Sequence, residues 1–194
     1  MFGRVPLNCW SNDYFQMQSG LYCVLNRHYV SPIVRETVQE LSDHMTSNFP
    51  GTVTLGLDGN FPFFDGFPLL PHLSHDDGRK LDLTFYYRDE DGYLPGKTTS
   101  PVGYFDFESG ETDCPDRWLT MRWNLPWLQG LWPDFQLDPV RTSAAIAWLA
   151  KDPRVEKVFV EPHLRQSLGI NFDKVRFQGC HAARHDDHIH FQIR

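Results

Sequence analysis

The residues most capable of chemistry are histidines and carboxylates gathered in two short clusters. Six of the nine histidines lie in these clusters, the first over residues 71–82 and the second over residues 181–190. Neutral imidazole nitrogens and carboxylate oxygens are ligands that zinc favours, and a catalytic zinc site uses three of them and leaves a position for water. Either cluster alone would be weak support for a metal site. Together they supply a complete set of three ligands.

The spacing within each cluster decides which side chains can face one ion. Gly78 gives a bend between a loop and a strand, so that His75 and Asp82 can lie on adjacent turns of the chain. His188 and His190 are two residues apart in a candidate strand and therefore point to the same face. One of these imidazoles could bind metal while the other faces a substrate. The alternative interpretation is an exposed, polar C-terminal tail.

The two clusters resemble the motifs of the penicillin-insensitive murein endopeptidases. In one-letter code they read HxSHxxGxxxD over residues 72–82 and HxDHxH over residues 185–190. The pattern is similar to that of a wider group of D-alanyl-D-alanine dipeptidases and carboxypeptidases, lysostaphin-type enzymes and Hedgehog signalling domains. Residues 152–162 also resemble the strand region that precedes the last motif of the endopeptidases. The resemblance covers about residues 70–87 and 140–194.

The resemblance implies a zinc site. It assigns the metal ligands to His75, Asp82 and His190, and it places His72 at or near the metal as a fourth or alternative ligand. Lys80 stands where the relatives usually have a small or acidic residue. The sequence has no clear counterpart of the residues that some endopeptidases use for a second metal ion, which favours a single ion.

The resemblance also implies the catalytic groups. His188 would form a hydrogen bond to the developing oxyanion or to the attacking water. Two residues compete for the role of general base. One is His185, which could instead support a neighbouring group, and the other is Asp187, at the position where the dipeptidases carry a catalytic acid. Substrate-binding residues are not identified by the pattern.

By resemblance, the chain is expected to be a zinc metallopeptidase that hydrolyses amide cross-links of the D-alanyl–diaminopimelate type in peptidoglycan. One alternative is a D,D-carboxypeptidase or dipeptidase, which needs a pocket for a free carboxylate, typically built with arginine. Arg79, Arg122 and Arg184 are conceivable for that role. The alternative from another class is a zinc-bearing binding module without catalysis. The additional acid–base groups of the second cluster favour an enzyme.

Hydrophobic patterning predicts an α+β fold with a small, mostly antiparallel sheet flanked by helices, and the resemblance implies the Hedgehog or DD-peptidase type. Apolar residues at helical spacing and capping signals predict helices over residues 32–47, 139–150 and 163–168. Alternating and β-branched runs predict strands over residues 52–58, 81–87, 155–160, 174–178 and 188–194.

The 194 residues fit a single domain. Residues 1–30 show no clear hydrophobic periodicity, which predicts an irregular lead-in to the first helix. Residues 88–140 form a long insertion rich in Pro, Gly and Trp, which could build a wall of a substrate cleft. The tryptophans of this insertion are expected mainly to pack in the core or within the insertion, and they are also candidates for substrate contact. They are Trp118, Trp123, Trp127 and Trp132.

Composition narrows the partners and the compartment. A net charge of −7 disfavours nucleic acid as a partner. No apolar stretch approaches the roughly 20 residues of a membrane span, and no apolar signal region is visible at the start. The implied substrate predicts a periplasmic or extracellular protein, although the lack of a signal leaves the cytoplasm open. The sequence has four cysteines: Cys9, Cys23, Cys114 and Cys180. They could form two disulfides, for which three pairings are possible, or remain as buried thiols. The oligomeric state is not predicted.

Overall fold

The computed structural model describes residues 2–10, 14–70, 72–100, 108–112, 114–115, 122, 127 and 130–194. Over these residues the fold is α+β, as predicted, and contains four helices and eleven strands. The helices are α1 (Gly20–Val24), α2 (Pro32–Asn48), α3 (Pro139–Lys151) and α4 (Pro162–Ser167).

The strands form one large and two small sheets. In chain order they are β1 (Val5–Pro6), β2 (Phe15–Met17), β3 (Tyr29–Val30), β4 (Thr54–Gly56), β5 (Lys80–Thr84), β6 (Tyr87–Asp89), β7 (Gly92–Tyr93), β8 (Gln136–Leu137), β9 (Val155–Phe159), β10 (Val175–Arg176) and β11 (His188–Ile193). The main sheet has the order β10–β9–β11–β5–β4–β2, a smaller one has the order β7–β6–β8, and β1 pairs with β3.

The main sheet is mostly antiparallel, as predicted. Its three inner pairings are antiparallel, and the pairing at each edge is parallel. The central strands β5 and β11 form the longest pairing, and in their register Asp82 lies directly opposite His190. Residues that face each other across an antiparallel pair project to the same side of the sheet. The middle of the sheet therefore brings these two side chains together.

Helices α2 and α3 pack against each other, and they contact β2 and β9 respectively, so they cover one face of the sheet. Each begins at a side-chain cap followed by proline, since Ser31 accepts a hydrogen bond from the Val34 backbone and Asp138 accepts two from its own first turn. The buried stripe of α2 follows the helical period and comprises Val34, Val38, Leu41 and Met45. The predicted boundaries of both helices agree with the structure to within one residue.

The prediction of an irregular lead-in over residues 1–30 is wrong for part of that range. Phe15–Met17 is an edge strand of the main sheet, parallel to β4, and α1 follows it. Elements of three and five residues are too short to show a period in sequence, and packing rather than local pattern forms them. The strand predicted over residues 81–87 is also divided, because β5 ends at Thr84 and β6 begins at Tyr87.

The insertion over residues 88–140 is partly regular. It begins in the β6–β7 hairpin and ends in β8, which pairs with β6. Trp118 and Trp123 lie outside the described residues. Trp127 and Trp132 are 71% and 45% exposed, so of the two expected kinds of packing neither residue shows burial in the core.

The four cysteines form two disulfides, Cys9–Cys23 and Cys114–Cys180. Disulfides form and persist in oxidising environments, so this pairing indicates an extracytoplasmic compartment. Within the described part of the chain, no helix combines the length and apolar character that crossing a membrane requires.

The two disulfides are expected to contribute unequally to stability. They close loops with sequence separations of 66 residues for Cys114–Cys180 and 14 residues for Cys9–Cys23. Loop-closure entropy then assigns about 4 kcal/mol to the first and about 3 kcal/mol to the second. Urea unfolding of the paired serine variants should show the larger loss of unfolding free energy for Cys114→Ser/Cys180→Ser. A larger loss for Cys9→Ser/Cys23→Ser would contradict this order.

Candidate metal centre

The side chains of His75, Asp82 and His190 meet on one side of the main sheet. The Nε2 atom of His75 lies 3.3 Å from Oδ1 of Asp82 and 3.2 Å from Nδ1 of His190. The same Nδ1 of His190 lies 2.8 Å from Oδ1 of Asp82. All three side chains are at most 3% exposed. The structure thus brings together the three residues predicted as metal ligands.

Strand register and one loop contact position these groups. Asp82 and His190 face each other on β5 and β11, and His75 reaches them from the loop between β4 and β5. Nδ1 of His75 lies 2.7 Å from the carbonyl oxygen of Gly59. If Nδ1 donates its proton there, the electron pair of Nε2 points towards Asp82 and His190. A side chain at Gly59 would be crowded, because a Cβ would lie 3.0 Å from the carbonyl oxygen of Tyr29.

His72 extends the centre on its other side. Its Nδ1 lies 2.6 Å from Oδ2 of Asp82 and 3.6 Å from Oδ2 of Asp58. The donor atoms of His72, His75 and Asp82 all lie within 4.8 Å of one another, and all three residues are buried. This buried group could hold a metal ion.

The carboxylate of Asp82 provides the negative charge of the centre. Burial raises the pKa of Asp82, but the surrounding imidazoles outweigh burial and hold that pKa well below its ordinary value. Burial lowers the pKa of His75, but the charge and hydrogen bond of Asp82, together with Asp58 and the carbonyl of Gly59, raise it above its ordinary value. Burial lowers the pKa of His190 to about 4. At neutral pH the centre therefore combines an ionised Asp82 with a neutral His190, and His75 holds a proton more readily than an ordinary imidazole.

His188 points into the same region and is oriented by its neighbour in sequence. Its Nδ1 lies 2.5 Å from Oδ1 of Asp187, and its Nε2 lies 3.9 Å from Oδ1 of Asp82. This buried Nε2 has no hydrogen-bond partner among the described residues. Burial lowers the pKa of His188, but the charges of Asp187 and Asp82 outweigh it and raise the pKa to about 9. At neutral pH His188 is therefore cationic, with one N–H directed at the centre.

His185 lies beside this group and opens onto the cleft. Its ring centroid is 4.9 Å from that of His188 and 5.4 Å from that of His190. The side chain is buried, and burial lowers the pKa of His185 well below its ordinary value. Its imidazole is therefore neutral at pH 7 and carries a free electron pair.

A cleft of about 170 Å³ lies against the centre. Four histidines are part of its lining: His72, His75, His185 and His190. The rest of its lining is small or uncharged and comprises Leu73, Ser74, Gln178, Ala182 and Ala183. Asp187 and His188 are not among the residues that line this cleft. A substrate in the cleft would meet three of the four candidate metal-binding side chains.

A supporting layer behind the centre was not predicted from the sequence. Arg27 binds both oxygens of Asp58 at 2.6 Å, and Asp58 faces His72. The buried Arg4 donates to the carbonyl oxygens of Phe61 and Asp76, each at 2.6 Å, and so holds the loop that carries His72 and His75. Nothing in the local sequence marks Arg4. Asp58 could have been noticed, because it ends a predicted strand immediately before a glycine.

Comparison with protein-family models and with the curated proteins gives no match to this chain. The chemistry of the buried centre and its cleft is therefore the basis for inferring what the protein does.

Proposed function

We propose that the protein is a zinc metallopeptidase that hydrolyses amide cross-links of the D-alanyl–diaminopimelate type in peptidoglycan stem peptides. The convergence of His75, Asp82 and His190 beside an open cleft carries this proposal. The similarity of the two histidine motifs to those of the murein endopeptidases supports the choice of substrate. The Hedgehog or DD-peptidase type of fold is part of the same proposal.

The donor set fits zinc. Zinc–ligand distances of 2.0–2.1 Å in a tetrahedron require ligand atoms roughly 3.3 Å apart. The three separations among His75, Asp82 and His190 are 3.3, 3.2 and 2.8 Å. Imidazole and carboxylate without thiolate are typical of catalytic rather than structural zinc sites. His75, Asp82 and His190 would hold the ion, with His72 as a fourth or alternative ligand.

Zinc binding is expected to release protons and to weaken as the pH falls. The pKa of His75 is raised in the centre, so protonation of its imidazole competes with the ion. Lower pH increases the protonation of His75 and therefore weakens zinc binding. Calorimetric titration with Zn²⁺ in two buffers of different ionisation enthalpy measures the proton release. An affinity that is the same at about pH 5.5 and pH 7.5 would contradict this arrangement.

When bound, zinc supplies a Lewis acid and lowers the pKa of a water molecule towards about 7. His188 would then stabilise the charge that develops on the carbonyl oxygen of the scissile amide. Its position supports this role, because Nε2 faces the centre while Asp187 holds Nδ1 at 2.5 Å. Removal of an oxyanion donor of this kind commonly costs about 2.7–4 kcal/mol.

His185 is the better candidate for general base. Asp187 is 1% exposed, and its Oδ1 is engaged by His188, so its carboxylate orients that imidazole rather than facing the cleft. His185 lines the cleft and presents a neutral ring. We assign to His185 the acceptance of the proton from the attacking water and its return to the leaving amine.

The charges around the cleft support an endopeptidase over a carboxypeptidase. A carboxypeptidase needs a cation for the free carboxylate of its substrate. Arg122 binds both oxygens of Glu161 at 3.0 and 2.9 Å, and Arg184 binds Asp186. The described cleft lining carries no arginine or lysine. The small walls at Ala182 and Ala183 suit a peptide with D-alanyl side chains.

The compartment follows from the substrate and the disulfides. Peptidoglycan lies outside the cytoplasm, and two disulfides are stable in an oxidising environment. We propose a periplasmic or extracellular location.

Elemental analysis of purified protein, combined with digestion of defined muropeptides, tests the function. We expect about one zinc per chain and cleavage of cross-linked dimers, with little release of D-alanine from free pentapeptide. Preferential release of D-alanine would indicate a carboxypeptidase. Bound zinc without cleavage of any muropeptide would indicate a non-catalytic binding module and would overturn the proposed function.

A further inference from the structure

The long insertion is attached at several points to the segment that carries His185. Cys114 of the insertion forms a disulfide with Cys180. The backbone N–H of Glu108 donates to the carbonyl oxygen of Asp186 at 2.8 Å. These contacts flank the cleft wall on both sides of Ala182 and Ala183 and come within one residue of His185.

The insertion also packs tightly beside this wall. A Cβ built on Gly110 would lie 2.2 Å from the ring of His163, so only glycine allows this approach. His163 lies in α4, directly after Glu161 and Pro162. The insertion therefore contacts the start of α4, which follows Glu161, and the segment of His185, whose backbone forms hydrogen bonds with Glu161.

Glu161 joins the insertion to His185. Its backbone N–H donates to the carbonyl oxygen of His185 at 3.1 Å, and its Oε1 accepts from the backbone N–H of His185 at 3.3 Å. Its two carboxylate oxygens also bind Arg122 of the insertion at 3.0 and 2.9 Å. Both polar groups of the His185 backbone are thus held by one residue.

The side chain of Glu161 binds Arg122 and the backbone of His185 rather than capping its own helix. Glu161 occupies the N-cap position of α4, yet its side chain makes no capping hydrogen bond. It is 1% exposed, so its charge requires a buried partner, and the paired N–H groups of Arg122 supply one. Loss of Arg122 would leave the buried carboxylate without its hydrogen-bonded cation. Glu161 would then have to move, and the backbone of His185 would move with it.

We propose that Glu161 is a positioning residue that, together with Arg122 of the insertion, sets the place of His185 in the cleft. The insertion would thereby control how well the general base is aligned. This inference rests on the proposed function, because it takes His185 to be the base.

Kinetics of single and double variants test the proposal. Glu161→Gln and Arg122→Gln are each expected to lower kcat for a cross-linked muropeptide about tenfold or more, with KM within about twofold and zinc content unchanged. The double variant should be no worse than the worse single variant, because either change already breaks the pair. Arg122→Lys keeps the charge without the paired N–H groups and should retain an intermediate kcat. An unchanged kcat in Glu161→Gln would overturn the proposal.

Amide hydrogen exchange of the zinc-loaded protein gives a readout that does not depend on activity. Glu161→Gln and Arg122→Gln should accelerate exchange at the His185 amide and leave the amides of β11 protected. Arg154→Gln is the matched control, because Arg154 binds Asp152 and Glu40 at the end of β9 remote from Phe159, which pairs with His190. It should lower stability without altering kcat or His185 exchange.

Failure of the proposed function can be distinguished from failure of the positioning role of Glu161. If the wild-type protein binds zinc but cleaves no muropeptide, the proposed function fails, and exchange alone judges the role of Glu161. Faster exchange at His185 in the variants would then support the positioning role, and unchanged exchange would overturn it. If Glu161→Gln does not fold, the comparison of Arg122→Gln with Arg122→Lys carries the same test.

Discussion

Under the proposed function, replacing His75 with alanine is expected to remove the bound zinc and to abolish peptidase activity. His75 supplies Nε2 within 3.3 Å of both other candidate ligands, and its removal leaves two of the three main ligand residues. Loss of a residue that only supports a ligand commonly lowers metal affinity 10- to 100-fold, so loss of the ligand itself should exceed about 100-fold. Zinc per chain after dialysis, measured beside muropeptide cleavage, gives the result.

His44→Ala is the matched control for this variant. His44 is an exposed residue of α2, whose main contacts are with α3 and β2 rather than with the strands that carry Asp82 and His190. The same chemical change there should leave both zinc content and cleavage intact. Retention of a full equivalent of zinc by His75→Ala would mean that this side chain is not a ligand.

Replacing His188 with alanine is expected to lower kcat about 100- to 1000-fold while zinc remains bound. The reason is that His188 presents a cationic imidazole to the centre without being one of the three main ligands. Its Nε2 lies 3.9 Å from Oδ1 of Asp82, whereas Nδ1 of His190 lies 2.8 Å from the same atom. Steady-state kinetics and zinc analysis on the same preparation separate catalysis from metal binding.

Asp187→Asn provides the graded comparison for His188→Ala. Asp187 helps to raise the pKa of His188 to about 9, so loss of its charge should lower that pKa and restrict activity to lower pH. The alkaline limb of the pH–rate profile should shift accordingly. Unchanged turnover in His188→Ala would remove the oxyanion role from the mechanism.

Residues whose positions depend on local periodicity could be predicted from the sequence. The two-residue spacing of His188 and His190 places both on one face of a strand, and the structure has them on β11. The starts of helices α2 and α3 could be predicted from Ser31-Pro32 and Asp138-Pro139, which combine a cap with a proline suited to the first turn.

Residues that act through long-range side-chain contacts could not be predicted. Arg4 reaches Phe61 across 57 positions, and Arg122 reaches Glu161 across 39. Contacts of this kind leave no repeating pattern along the chain, and each arginine alone resembles any surface cation. The short strands of the first 30 residues could not be predicted for a related reason. Three residues are too few to show an alternation of buried and exposed side chains.

The register of β5 and β11 has a consequence for how the proposed site would acquire its metal ion. Because Asp82 and His190 are opposite one another on central strands, hydrogen bonds of the backbone, rather than the ion, hold two of the ligands together. Zinc fingers lack such a scaffold and are unfolded without metal. Under the proposed function, loading could therefore follow folding, so that a chain folded before it encounters zinc would still take up the ion, and one divalent ion could be exchanged for another in the folded protein.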